Sequence, residues 1–499
     1  MSATSRRDVL MSLGGALASP LLLSRAECQV TPDLVQFRPE IEPLVALFER
    51  TPREHCAQML VGELRRGVSY RQALAALFLA GVRNINPRPP GFAMHCVFVV
   101  HAAHLICLEA PPDARLLPLF YVLDDFKVSQ ERDARQASGD YTMRALRGAL
   151  PSAAQASGEF AASMEAWDME RAERAIVALA RANGAAEVFR LLWRYGARDY
   201  RNLGHKAIYV ANAYRTLQTI GWQHAEPVLR SLVLGLLDFG KEQKVTGYAL
   251  DDQSYAGNVV RLKQTFSKLG PDWVSGAGDS GATLGMLRTL RTAPPGEACT
   301  ECSARLAKGA TATAMWDAVH LLAAELRMRA RGGASIASIH AVTSANALHY
   351  AYLTAADPGL RYLLLLQGVG WMAQFRKFTA ERPENLRAVE ITALEPAEGE
   401  AADEIKSNPD LAASRVMRMA AEPEGRQAFL AVALRHTISK IDEVHYYKFL
   451  AALIEDVPLV SPAWQPRLLA TAVYYTKGPQ DQEPAPMKRA REALKSLTA

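Results

Sequence analysis

The chain has 499 residues, 49% of them hydrophobic and 22% charged, which is enough apolar material for a large buried core and excludes wholesale disorder. Its 57 basic and 52 acidic side chains leave a net charge of +5 with no long basic run, a pattern that argues against a nucleic-acid partner. Beyond the first residues no segment offers about 18 to 20 uninterrupted apolar positions, so no stable membrane insertion is expected.

Residues 1–26 read as a targeting segment that stands apart from the fold. Arg6 and Arg7 precede an apolar stretch over 9–23, and Ser24 and Ala26 supply the small residues of a cleavage site. The paired arginines resemble a twin-arginine (Tat) export signal, with Val9 and Met11 where that motif often carries Phe and Lys; Sec export is the alternative. The resemblance implies the Tat translocase as a partner during export and a periplasmic mature protein. It also implies a cofactor inserted before export, because Tat carries folded cargo.

Over 39–83 apolar residues recur at spacings of three and four, the helical period. Pro87, Pro89 and Pro90 stop that pattern, and the next helix is predicted to start near Phe92 and to carry His95, His101 and His104. A polar stretch over 130–158 leads to another helix, with Asp168 and Glu170 near its start, and then to "AAEVFRLLWRYGARD" and "HKAIYVANAYRTLQTIG". Between 241 and 305 the composition shifts to Gly, Ser, Thr and Pro, which predicts a long irregular insert of the lid or binding-loop kind. Its glycines match no phosphate-binding pattern. "TATAMWDAVHLLAAELRMRARGG" and "SIASIHAVTSANALHYAYLTA" restore the helical pattern, an acidic surface loop follows over 388–410, and a last helical run contains His436 and His445. No strand alternation is sustained, apart from a short candidate in "AVEITAL".

Four times a histidine is followed nine positions later by a second imidazole or phenol: His95 and His104, His205 and Tyr214, His340 and His349, His436 and His445. Seven of the 11 histidines belong to this pattern, and each copy runs into a short break and a second apolar helix. The expected fold is therefore all-α: a single domain over 27–499, built of degenerate helix-turn-helix repeats in one array around a His-lined cavity. A nine-residue step turns a helix by about 900° and advances it roughly 13.5 Å, so the two members of a pair face opposite ways. Each repeat then offers one member to any shared centre, whereas His101 with His104, and His445 with Lys448, share a face.

Helical bundles build metal sites from inward side chains of several helices. Imidazoles suit iron, copper, nickel or zinc, and a shortage of inward carboxylates argues against calcium or magnesium. Cys299 and Cys302 form a lone CxxC with no second pair to complete a zinc site, which favours free thiols or a structural disulfide. No GxSxG elbow is present.

The stretches "HAAHLICLEAPPDARL", "GHKAIYVANAYR", "IHAVTSANAL" and "HYYKFLAAL" are similar, in content and order, to His-rich helices of the questin oxidase-like proteins, over 92–453. That resemblance implies a helical oxygenase holding non-haem iron by several histidines and a carboxylated lysine. Carried over, it points to His101, His205, His340, His445 and Lys448; the internal repeat adds His95 as an alternative first ligand. Tyr209 stands where the family's second HxxxH histidine would be. The reaction expected from the resemblance uses dioxygen and an aromatic or polyketide-like small molecule, with Tyr209 and Tyr214 as candidate catalytic residues. Trp222, Trp316 and Tyr350 are further aromatics against which such a molecule could rest. Iron is the expected metal, with copper and zinc as alternatives. The competing readings are a metal-free helical-repeat binding protein with packed histidines and a zinc hydrolase.

Overall fold

The structure is a computed structural model describing residues 34–136, 140–238, 253–332, 334–381 and 383–498. The targeting segment expected over 1–26 lies outside the described residues. Among them are 21 α-helices and no strand, so the chain is all-α. The candidate strand "AVEITAL" instead holds a turn of 3-10 helix at Ile391–Ala393.

The chain opens with α1 (Glu42–Arg50), α2 (Cys56–Arg65) and α3 (Tyr70–Asn84). A capping box starts α3: Ser69 and Gln72 each accept from the other's backbone N–H. Then come α4 (His95–Glu109), α5 (Leu117–Ala134), α6 (Ala153–Ala166) and α7 (Met169–Ala182), the last capped by the Asp168 carboxylate at the Arg171 N–H. α8 (Ala185–Gly196), α9 (His205–Ile220) and α10 (Ala225–Leu236) form the next repeat. They are followed by α11 (Gln253–Thr265), α12 (Ser280–Thr292), α13 (Pro295–Ala307), α14 (Ala312–Arg329), α15 (Ala334–Thr354) and α16 (Pro358–Ala380). The last helices are α17 (Pro409–Met419), α18 (Pro423–Lys440), α19 (His445–Asp456), α20 (Gln465–Ala470) and α21 (Ala485–Thr498).

One expectation is overturned here. The stretch predicted to be an irregular insert over 241–305 carries α11, α12 and most of α13 in its described part. Its Asp, Gly and Pro residues punctuate helices instead of forming a loop. Asp279 caps α12 at the Ala282 N–H, and Pro295 sits at the first position of α13, where a missing N–H does no harm. Cys299 and Cys302 lie buried on α13 as free thiols.

Four helices form the centre. α4 packs on α9, α9 on α15, α15 on α19, and α19 back on α4, closing a ring. α4 and α15 are apolar nearly all round, which fits a helix covered on every side. The four run in the same direction: His95, His205, His340 and His445 meet at one level, and His101, Arg215, Asn346 and Glu455, each six or ten residues further on, meet at the next. α5, α10 and α16 pack on the inner helices they follow, so three of the four repeats pair an inner with an outer helix. α21 returns to pack on α2 and α5, where Arg489 reaches Asp124.

Candidate metal centre

The ring gathers the first histidine of three pairs and the second of the fourth. His95, His205 and His445 are the opening residues of α4, α9 and α19, and His340 lies in the second turn of α15. All four are buried. Nitrogens of His95, His340 and His445 lie within 4.8 Å of one another. His205 completes the group, its Nε2 being 3.0 Å from His95 Nε2 and 2.9 Å from His340 Nε2.

Local structure aims each ring. The turn before α9 holds Asn202, Leu203 and Gly204 at φ of 56°, 56° and 79°, three consecutive left-handed residues. Such a conformation costs about 1–2 kcal/mol for a residue with a Cβ. At position 204 it also demands glycine, because a Cβ there would collide with the Ser344 hydroxyl. Surrounding contacts hold the turn: Lys206 Nζ binds Asp199 at 2.9 Å and the Asp238 carbonyl at 2.8 Å, and the Asn202 amide donates to Asp238 at 3.3 Å. The result is an Asn202 carbonyl 2.5 Å from His205 Nδ1. His340 Nδ1 lies 2.7 Å from the Ile336 carbonyl, and His445 Nδ1 lies 2.5 Å from Glu443, whose other oxygen takes the Tyr475 hydroxyl.

These partners only accept, so Nδ1 carries the proton in His205, His340 and His445, and Nε2 is left with a lone pair. Two bare lone pairs 2.9 Å apart repel, and His445 Nε2 is buried with no hydrogen-bond partner. Protonation would relieve the conflict, but burial holds His95, His205 and His340 well below the usual histidine range, with Lys448 among the groups adding to the shift. Burial lowers His445 as well. A divalent cation relieves it without a proton: two imidazoles about 2.1 Å from one ion stand roughly 3.0–3.4 Å apart, close to the spacing found. The backbone and Glu443 contacts are the outer-shell bonds that metal-ligating histidines generally make. The residues fit a metal.

Lys448, one turn after His445 on α19, is buried, and its Nζ has no hydrogen-bond partner. Nζ lies 5.9 Å from the centre of the Phe98 ring, which itself contacts His205 at 5.5 Å between centroids. Burial brings this ammonium down to about 7, against the opposing pull of Glu443 and Asp125. A cleft of about 520 Å³ reaches His95 and His445, with Tyr121, Asp125 and Arg132 from α5 and Arg53 on its walls. The volume lies in the range of small-molecule sites.

The other sequence candidates lie elsewhere. His101 is six residues past His95, about 240° round the helix and roughly 9 Å along it. Its Nε2 donates to Glu455 at 2.9 Å, outside the group of four. His104 pairs with the Tyr70 hydroxyl at 3.1 Å. The Tyr209 hydroxyl bonds to Ser231 at 2.8 Å while its ring packs on Phe98, one layer behind His205. Tyr214 sits in an aromatic group with Phe189, Trp193 and Tyr350, and Trp222 joins it through Phe189. Trp316 stacks on His349 at 4.4 Å.

Sequence reasoning passed over Glu443, Asp125 and the Asn202 carbonyl. Glu443, two residues before His445, was the most findable, as a carboxylate beside a candidate ligand. Asp125 belongs to no motif, and the carbonyl depends on backbone conformation. No helix among the described residues is long and apolar enough to cross a membrane. No family model matches this chain, and neither a curated protein nor a solved structure does.

Proposed function

We propose that this protein is a metal-dependent oxygenase, with non-haem iron held by His95, His205, His340 and His445, acting on an aromatic or polyketide-like small molecule in the adjoining cleft. One observation carries the reading: the buried imidazoles of His205 and His340 turn their Nε2 lone pairs on each other beside a lysine amine with no partner. The similarity to questin oxidase-like sequences points the same way and supplies the substrate class.

Neutral imidazoles leave the charge of a divalent ion uncompensated, so an anionic ligand is needed. Lys448 can provide it. A buried amine with its ammonium near pH 7 is substantially neutral. Its nitrogen adds to the carbon of carbon dioxide, a C–N bond forms, one N–H proton leaves, and the product is a carbamate anion. Three of the four helices begin at their histidine, and the positive ends of their dipoles favour that anion while opposing imidazolium. Iron, when bound, supplies the one-electron chemistry that lets dioxygen react with a spin-paired organic molecule. The chain holds the imidazole tautomers through Asn202, Ile336 and Glu443, and leaves the His95 and His445 edge open to the cleft.

The test is elemental analysis of gently purified protein beside a His205→Ala/His340→Ala variant. Near-stoichiometric iron that disappears in the variant supports the oxygenase, and copper keeps an oxidative role. Zinc without oxygen consumption favours a hydrolase. Absence of any metal leaves a helical binding protein with packed histidines.

A further inference from the structure

Two neighbouring carboxylates on α5 face very different surroundings. Asp124 is fully engaged: Arg53 binds it through Nε at 3.1 Å to both oxygens and through Nη2 at 2.6 Å, and Arg489 adds a contact at 2.8 Å. Asp125 lines the same cleft, yet its Oδ2 is buried with no hydrogen-bond partner. A buried polar atom without a partner is uncommon and calls for an explanation such as a bound ligand or a chemical role. Tyr121, one helical turn earlier, continues this wall, and His95 and His445 form the part of the cleft that belongs to the metal centre. Asp125 is not a ligand in the group of four.

The geometry points to Asp125 as the proton-exchanging residue of the cleft, giving a proton to, or taking one from, an acidic ligand seated against the open edge of the histidines. It rests on the reading of those histidines as a metal centre. In the accepting direction the carboxylate oxygen takes the proton of the ligand's acidic group and becomes a carboxylic acid. The ligand keeps the electron pair of the broken bond and is left an anion. In the donating direction the acid O–H hydrogen-bonds to that anion and returns the proton when it leaves.

Burial is the main influence on Asp125 and lifts its carboxyl to about 7, opposed by Arg132 and Arg53 and reinforced by Asp124 and Glu443. Asp442, Tyr121, His95 and His445 share the cleft, and Lys448 lies within electrostatic reach. A carboxyl poised near neutrality is the form that exchanges protons efficiently.

Azide binding to the cobalt(II)-loaded protein tests the assignment, with visible absorption reporting the bound anion between about pH 5.5 and pH 8.5, a range that brackets the expected titration. Cobalt content is measured first in the wild type and in Asp125→Asn and Asp125→Leu. In the wild type the affinity is expected to fall above pH 7 by up to about tenfold per unit, as the hydrogen-bonding acid ionises. Asn keeps a donor of the same shape, so that fall should vanish; Leu should bind azide weakly throughout, without the step. If the same fall persists in Asp125→Asn at full cobalt content, it belongs to another group and the role of Asp125 is overturned. If the wild type holds no stoichiometric cobalt, the metal centre itself falls, and this inference with it.

Discussion

Two levels of the inner ring are both polar, the upper one buried throughout and the lower one half-buried at His101 and Glu455, and they differ in how their nitrogens and oxygens face one another. At the lower level His101 donates to Glu455 at 2.9 Å, Arg215 reaches Glu455 at 2.8 Å and Asn346 at 3.0 Å, and Asn346 bridges to Asp456 at 2.8 Å. Beside them His320 Nε2 pairs with His349 Nδ1 at 2.8 Å. Each of those bonds runs from a donor to an acceptor, although His101 Nδ1, Arg215 Nε and Asp456 Oδ2 are buried there without a partner. Glu455, which burial alone would raise, is held at about 2 chiefly by the Arg215 guanidinium. At the upper level acceptors meet acceptors, and an amine and an imidazole nitrogen lack partners. A buried acceptor bonded to a donor holds structure together, whereas acceptors turned on one another leave room for a cation between them.

The contrast can be broken most severely by removing imidazoles from the upper level. His205→Ala/His340→Ala should take metal content from near one per chain to near zero by elemental analysis, while Glu455→Gln at the lower level should leave it unchanged. Glu455→Gln should instead destabilise the protein by about 3–5 kcal/mol in denaturant unfolding, because Arg215 is left buried without its counter-charge. A result in which both variants lose metal would erase the distinction.

Acidification sharpens the same comparison. The four upper histidines have folded-state values below the unfolded one, so the unfolded chain binds protons first and stability is lost as pH falls. In metal-free protein that loss should begin near pH 6.5 and reach up to about 1.4 kcal/mol per pH unit for each histidine. Bound metal should delay it, and thermal unfolding across pH measures both. Lys448→Met, which keeps the bulk and removes the amine, should weaken metal binding about tenfold or more. Intact mass of the gently handled wild type, but not of the variant, should include one added carbon dioxide. The smallest effect is expected for Tyr209→Phe: about 1 kcal/mol from the lost Ser231 bond and no change in metal content.

The helical class and the recurrence of histidine were legible because both are periodic along the chain. Which member of each pair turns inward was not, since a nine-residue step places the two on opposite faces and the choice depends on where each helix enters the ring. For three repeats the inward member is the first, whereas in the fourth it is His445, because His436 falls on the preceding helix, α18. The Gly- and Pro-rich composition over 241–305 suggests a loop, although in the described part those residues mark the ends of short helices. Asp125 and Asp124 look alike in sequence; they are told apart by Arg53 and Arg489, one far upstream and the other near the end of the chain.

The common direction of the inner helices has a kinetic consequence. Each helix contributes roughly half a positive charge at its N-terminal end, and here three of those ends meet at the histidines instead of cancelling as they do in an antiparallel bundle. An anion drifting into the cleft is drawn inward, whereas a bare cation must climb the same field. On the proposed reading of the histidines as a metal centre, an ion would enter best while the ring is still assembling, and an emptied, fully folded ring should refill slowly.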